Sequence, residues 1–125
     1  MSAYSSLVVE EPARGRPYTV PLEPRSAMPI LYIDDAVRAL TELAAARGPL
    51  GRCVYNIAGI SPSAEEIADA VRAVVGDAQI DFQPDPAAQA VLDSWPAGIE
   101  EEAARADWGW PVSYTHLTLP TIPLV

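Results

Sequence analysis

An α/β fold is the class this sequence predicts, and three observations predict it. Short apolar, β-prone runs ("PILYI", "RCVYNIAG", "QIDF") alternate with helix-period segments. Two of those segments, "DDAVRALTELAAARGP" and "SPSAEEIADAVRAVVG", carry capping residues in front and a glycine behind. At 125 residues the chain has room for one domain with a real core, and half its residues are hydrophobic.

In chain order, "AYSSLVVEEPARG" predicts a short helix stopping near Gly15 and limited by Pro12. "PYTVPL" and "PILYI" are extended pieces. In the helix that follows, Asp34 or Asp35 can cap the orphan amides. Ala36, Val37, Leu40, Leu43 and Ala44 then share one face, and Arg38 and Glu42 pair on the other. Gly48-Pro49 is expected to end it. "RCVYNIAG" reads as a strand covered on both faces, with Cys53 as a small buried side chain. In the next helix Ser63 and Glu66 stand at capping-box spacing, and Ile67, Val71, Val74 and Val75 form the buried stripe up to Gly76. "QIDF" is a short strand, "DPAAQAVLDSW" a short helix, and "EEEAARADWGW" a last acidic helix.

The net charge of −9 rests on residues 1–110, and its acidic runs read as solvated helix faces. So acidic a surface repels nucleic acid and anionic membrane. All eight basic residues are arginine. One cysteine and one histidine exclude an internal disulfide and a metal cluster, and a reducing cytoplasm fits. No signal peptide is expected from "MSAYSSLVVEEP", and no run reaches membrane-spanning length. The seven glycines stand apart, so no phosphate-cradling loop is formed, and without lysine no Tyr-x-x-x-Lys pair exists. Asp34-Asp35 at a strand-to-helix junction is better explained by capping and the helix dipole than by a catalytic carboxylate pair. The residues alone therefore give an acidic α/β piece without a complete catalytic set.

Three stretches add a resemblance. "PILYIDDAVRAL" and "CVYNIAGISPSAEEIADAV" resemble strand-helix segments of extended short-chain dehydrogenases and sugar-nucleotide epimerases. "DSWPAGIEEEAARADWGW" more specifically resembles the short-chain-type L-threonine 3-dehydrogenases, in register from about Tyr4 to Trp110. The resemblance implies the substrate-side, C-terminal part of an incomplete Rossmann-type domain over residues 1–110. It also implies a homodimeric parent enzyme that oxidises L-threonine with NAD to 2-amino-3-oxobutyrate. The NAD loop and the Ser/Thr, Tyr and Lys of catalysis would lie upstream of Met1, so the chain itself is expected to be inactive and not to bind NAD. Two substrate-binding positions carry across. Trp95 would help exclude water from the reacting carbon, and Ser2 would bond the substrate amino acid. Trp108 and Trp110 read as packing residues. A sugar-nucleotide epimerase or dehydratase, and a non-catalytic binding module of the same fold, remain alternatives. Against the epimerases, Met28, Pro29, Ile30 and Leu31 stand where those enzymes tend to carry an arginine and a histidine for a diphosphate.

Residues 111–125 differ in kind: they hold no charged side chain and no alanine, and they include the sole histidine, His116. "VSYTHLTLPT" resembles a translated transposase sequencing adapter (GTC TCT TAT ACA CAT CTG ACG CTG CCG ACG), with Val125 matching the codon before its stop. That stretch is expected to be an artefactual tail forming no domain, with no catalytic role for His116.

Overall fold

The computed structural model describes residues 4–110, in the element order α1 (Tyr4–Ala13), β1 (Tyr18–Val20), α2 (Ile33–Ala45), α3 (Ala64–Val74), β2 (Ile80–Phe82), α4 (Pro86–Asp93) and α5 (Glu102–Trp108). Ser2 and the whole 111–125 stretch, His116 included, lie outside the described residues. The chain divides into two units, each built from separated stretches.

The first unit takes residues 4–28 and 62–96. Its sheet is the parallel pair β1 and β2, with Tyr18 opposite Ile80 and Val20 opposite Phe82. Helix α1 packs on α3 and on β1. The core joins Tyr4 and Val8 of α1, Val20 and Leu22, Ile67, Ala68 and Val71 of α3, Ile80 and Leu92. Helix α3 starts on the expected capping box: Ser63 Oγ accepts from the Glu66 amide at 3.2 Å, and the Ser63 amide donates to Glu66 Oε2 at 2.7 Å. Its buried stripe is Ala64, Ile67, Ala68 and Val71. Val74, expected inside, is exposed, because the helix ends at that residue, before Gly76. Helix α4 is launched by Asp85, whose carboxylate accepts from the Ala88 amide at 2.8 Å, with Pro86 at the first helical position.

The second unit takes residues 29–61 and 97–110. Five expectations change here. "PILYI" and "RCVYNIAG" do not form strands: among the described residues the one pairing beside them is an antiparallel bridge from Ile30 to Ile60, the residue after the second run. Among the described residues, the backbone of 52–57 finds no backbone partner, and an extended run becomes a strand only when a neighbour completes its ladder. Cys53 is consequently exposed rather than buried. Helix α2 begins at Ile33, one residue before the expected caps, so Tyr32 is the N-cap and no side chain caps it. Asp34 and Asp35 occupy the first turn, where a carboxylate complements the helix dipole, and Asp35 pairs with Arg38 at 3.2 Å. The helix ends at Ala45, short of Gly48. Of the apolar face read from the sequence, Val37, Leu40 and Ala44 are exposed and Ala36 and Leu43 only half-buried; the buried residues of α2 are Asp35 and Ala39.

Gly59 sits where the two bridged segments touch. A Cβ there would stand 2.0 Å from the Ile30 carbonyl oxygen, so only glycine lets these backbones approach. Gly109 ends α5 in the left-handed region, with φ 75°.

Candidate functional site

Trp95 follows the last turn of α4. Leu92 buries that turn in the core, and the Trp95 amide donates to the Leu92 carbonyl at 2.9 Å, while Ser94 Oγ donates to the Val91 carbonyl at 2.6 Å. Pro96 then prevents the helix from continuing. The indole itself is 40% exposed, so Trp95 is not a core tryptophan.

The turn is braced by a residue that sequence reasoning passed over. Gln89 Oε1 accepts from the Glu23 amide at 2.9 Å and from Ser26 Oγ at 3.2 Å. Its Nε2 donates to Ser26 Oγ at 2.9 Å and to Asp93 Oδ1 at 2.8 Å. One amide side chain thus ties α4 to the 23–26 loop. Its partners in that loop lie 63 to 66 positions away in the chain, so no local pattern could announce the tie.

In the second unit the "DWGW" stretch is structural. Trp110 is buried, its ring centroid 5.4 Å from that of Trp108, and the Arg38 guanidinium lies 4.9 Å over it. Tyr55 meets Trp108 edge-on at 6.1 Å. Two carboxylates organise the surroundings. Glu101, buried, accepts from the Ala58 amide at 3.2 Å, Trp110 Nε1 at 3.1 Å and Arg105 Nη2 at 2.8 Å. Asp107 accepts from the Tyr55 hydroxyl at 2.7 Å and the Gly51 amide at 3.2 Å. An open groove of about 530 Å³ lies beside it, lined by Arg52, Asn56, Glu100, Glu102 and Asp107 among others.

These groups position rather than react. A tyrosine that deprotonates an alcohol needs a lowered pKa. The Tyr55 phenol is instead pushed up, by desolvation first and then by its hydrogen bond to Asp107; burial likewise raises Tyr4 and Tyr18. A dinucleotide does not fit the described residues either, since neither β1 nor β2 runs into a helix through a glycine-rich turn. No group of three or more His, Cys, Asp or Glu among the described residues is placed to hold a metal ion. Nor is any described helix long and apolar enough to cross a membrane.

Known proteins agree closely with this arrangement. No family model matches the chain. The mitochondrial L-threonine 3-dehydrogenase of Bos taurus is 35% identical over 108 residues, which is 86% of this chain and 29% of that protein. The GalE-like L-threonine dehydrogenase of Cupriavidus necator, in its holo form, superposes with a TM-score of 0.79 at 40% identity, over 89% of this chain and 37% of the other. The chain is homologous to part of an L-threonine 3-dehydrogenase. The Trypanosoma brucei L-threonine 3-dehydrogenase gives a TM-score of 0.76 at 27% identity. An uncharacterised epimerase/dehydratase of Staphylococcus saprophyticus is 33% identical over 89 residues, so the likeness reaches into the wider superfamily. The chain spans about 29% of the length of the threonine dehydrogenases it matches among curated proteins. The helices and small parallel sheet correspond to part of the Rossmann-like fold of these threonine dehydrogenases.

Proposed function

We propose that residues 1–110 are the substrate-side part of an NAD-dependent enzyme that oxidises the hydroxyl of L-threonine to give 2-amino-3-oxobutyrate. The observation that carries this reading is the 40% identity and matched fold over 89% of the chain against a threonine dehydrogenase. Exposure of Trp95 supports it, because a wall residue of a pocket completed by other parts of the enzyme must be uncovered in this part alone. In that role Trp95 excludes water from the reacting carbon, and Ser2 bonds the amino acid. NAD and the group that takes the hydroxyl proton belong to the remainder of the enzyme, as does the contact that makes it a homodimer. The substrate is small and the compartment cytoplasmic. Residues 111–125 contribute nothing to this function.

The test is an assay of the complete gene product. NAD reduction with L-threonine is the expected result; turnover of a nucleotide sugar without threonine oxidation would assign the chain to the epimerases that the S. saprophyticus relative represents. In the same enzyme Trp95→Ala should raise KM for threonine and lower kcat/KM by about tenfold to a hundredfold, on the scale of a misplaced substrate wall. Amplifying the locus from genomic DNA tests the tail: the codons after Trp110 should encode something other than "VSYTHLTLPT".

A further inference from the structure

Helix α4 is eight residues long, too short to hold a fixed pose by its own hydrogen bonds. Its one buried residue is Leu92, with Ala88 partly packed on the same core. The Asp85 amide, on the Pro21 carbonyl at 3.1 Å, holds only its start. A single buried leucine pins such a helix to the core but fixes its roll about its own axis poorly. That roll decides where Trp95, just past its end, points. The side chain that fixes it is Gln89. Its Oε1 accepts from the Glu23 amide, which can only donate, and its Nε2 donates to the Asp93 carboxylate, which can only accept. The side-chain amide therefore has one orientation. The loop it grips is itself held: the Ala64 amide donates to the Ser26 carbonyl and the Glu65 amide to the Pro24 carbonyl, both at 2.9 Å, at the start of α3. Ser26 is buried. The tie thus runs from α3 through the 23–26 loop and Gln89 to Asp93, the last residue of α4, next but one to Trp95.

We infer that Gln89 is a positioning residue: it fixes the pose of Trp95 and, through that indole, the fit of the amino acid substrate. Hydrogen bonds suit this task because they set direction, where apolar packing sets little more than distance. Gln89 itself touches neither substrate nor cofactor in this role. The inference deepens the proposed function and rests on it, since Trp95 matters to turnover only as part of the pocket.

The test is steady-state kinetics of the complete gene product. Gln89→Met keeps the length of the side chain and removes its four hydrogen bonds, so circular dichroism should match the parent enzyme. It should raise KM for threonine and lower kcat/KM about fivefold to tenfold, with KM for NAD unchanged. Added to Trp95→Ala, it should change kcat/KM by less than about twofold further, whereas independent sites would multiply their losses. Gln89→Glu should lose more than Gln89→Met, because it sets two carboxylates where Nε2 met Asp93 at 2.8 Å. Combining it with Asp93→Asn reverses the direction of that hydrogen bond and should restore kcat/KM to within about threefold of the parent. Should Gln89→Met fail to fold, Ser26→Ala takes its place in the same cycle, since it leaves the Glu23 and Asp93 contacts intact. Multiplied losses in the double variant, or a failed rescue, would make Gln89 a support of the fold only and overturn the inference. So would parental kinetics in Gln89→Met beside a damaged Trp95→Ala, a result that leaves the pocket reading standing. A silent Trp95→Ala would overturn the pocket reading itself, and the kinetic role of Gln89 with it.

Discussion

Replacing Glu101 by alanine removes the acceptor around which the second unit closes. Two donors lose their partner: Trp110 Nε1, in a residue only 3% exposed, and the half-buried Ala58 amide. An orphaned buried donor costs about 1–3 kcal/mol, so the pair should cost about 2–4 kcal/mol. The ion pair with Arg105 adds little, because the arginine side chain is 54% exposed and solvent screens it. Glu101→Gln separates these contributions. Its single carbonyl oxygen can still accept from both donors, so it should cost only about 1 kcal/mol, the loss of charge assistance. The assay is urea unfolding followed by near-ultraviolet circular dichroism of Trp108 and Trp110, whose paired rings report on this unit. If Gln proves as damaging as Ala, or Ala costs less than about 0.5 kcal/mol, the carboxylate is not the organising acceptor.

Three further outcomes are expected. Gly59→Ala should cost at least about 1–3 kcal/mol, since its Cβ would drive into the Ile30 carbonyl; Gly109→Ala should cost about 1–2 kcal/mol for its positive φ; and Gly48→Ala, with open space around it, should be near neutral in the same unfolding assay. Alkali should destabilise the fold. Tyr4, Tyr18 and Tyr55 have folded pKa values above the ordinary 10, so the stability they contribute is intact below pH about 10 and is lost as pH rises through those values. Spectrophotometric titration near 295 nm should therefore find their phenolates forming only above that pH. Cys53 should react with a thiol reagent in the native chain at a rate within a few fold of the unfolded rate, because its side chain is exposed; strong protection would contradict the open conformation of the 52–57 run.

What could be read in advance was whatever local chemistry decides. The Ser63–Glu66 capping box, the Asp85-Pro86 start of α4 and the period of α3 act within a turn or two, and each helix stands where those signals put it. "RCVYNIAG" has the composition of a buried strand, but a strand is a property of two segments, and the described residues hold no second one for it. Cys53 and Val54 are exposed on that same run. Trp95 was singled out by the resemblance of its motif, whereas its exposure had no sequence signal, because exposure depends on what the unit leaves uncovered. Glu101, Asp107 and Gln89 had no sequence signal at all. Acidic runs on helices read as solvent-facing, and only the folded chain separates Glu101, buried, from its exposed neighbours Glu100 and Glu102.

The interleaving of the two units has a consequence for how the chain folds. The path leaves the first unit after residue 28, returns at 62 and leaves again after 96. Ala58 meets Glu101 across 43 positions, Tyr55 meets Asp107 across 52, and Ser26 meets Gln89 across 63. Each such pairing closes a long loop before any contact compensates the lost chain entropy, which slows the search for the native state. Until the residues past 97 emerge from the ribosome, α2 lacks the packing of its Ala39 on Ala104 and Trp110. Its exposed leucine and valine are then open to chaperones and to other nascent chains, so yield in a cell should depend on translation rate and temperature more strongly than for a helical bundle of equal length.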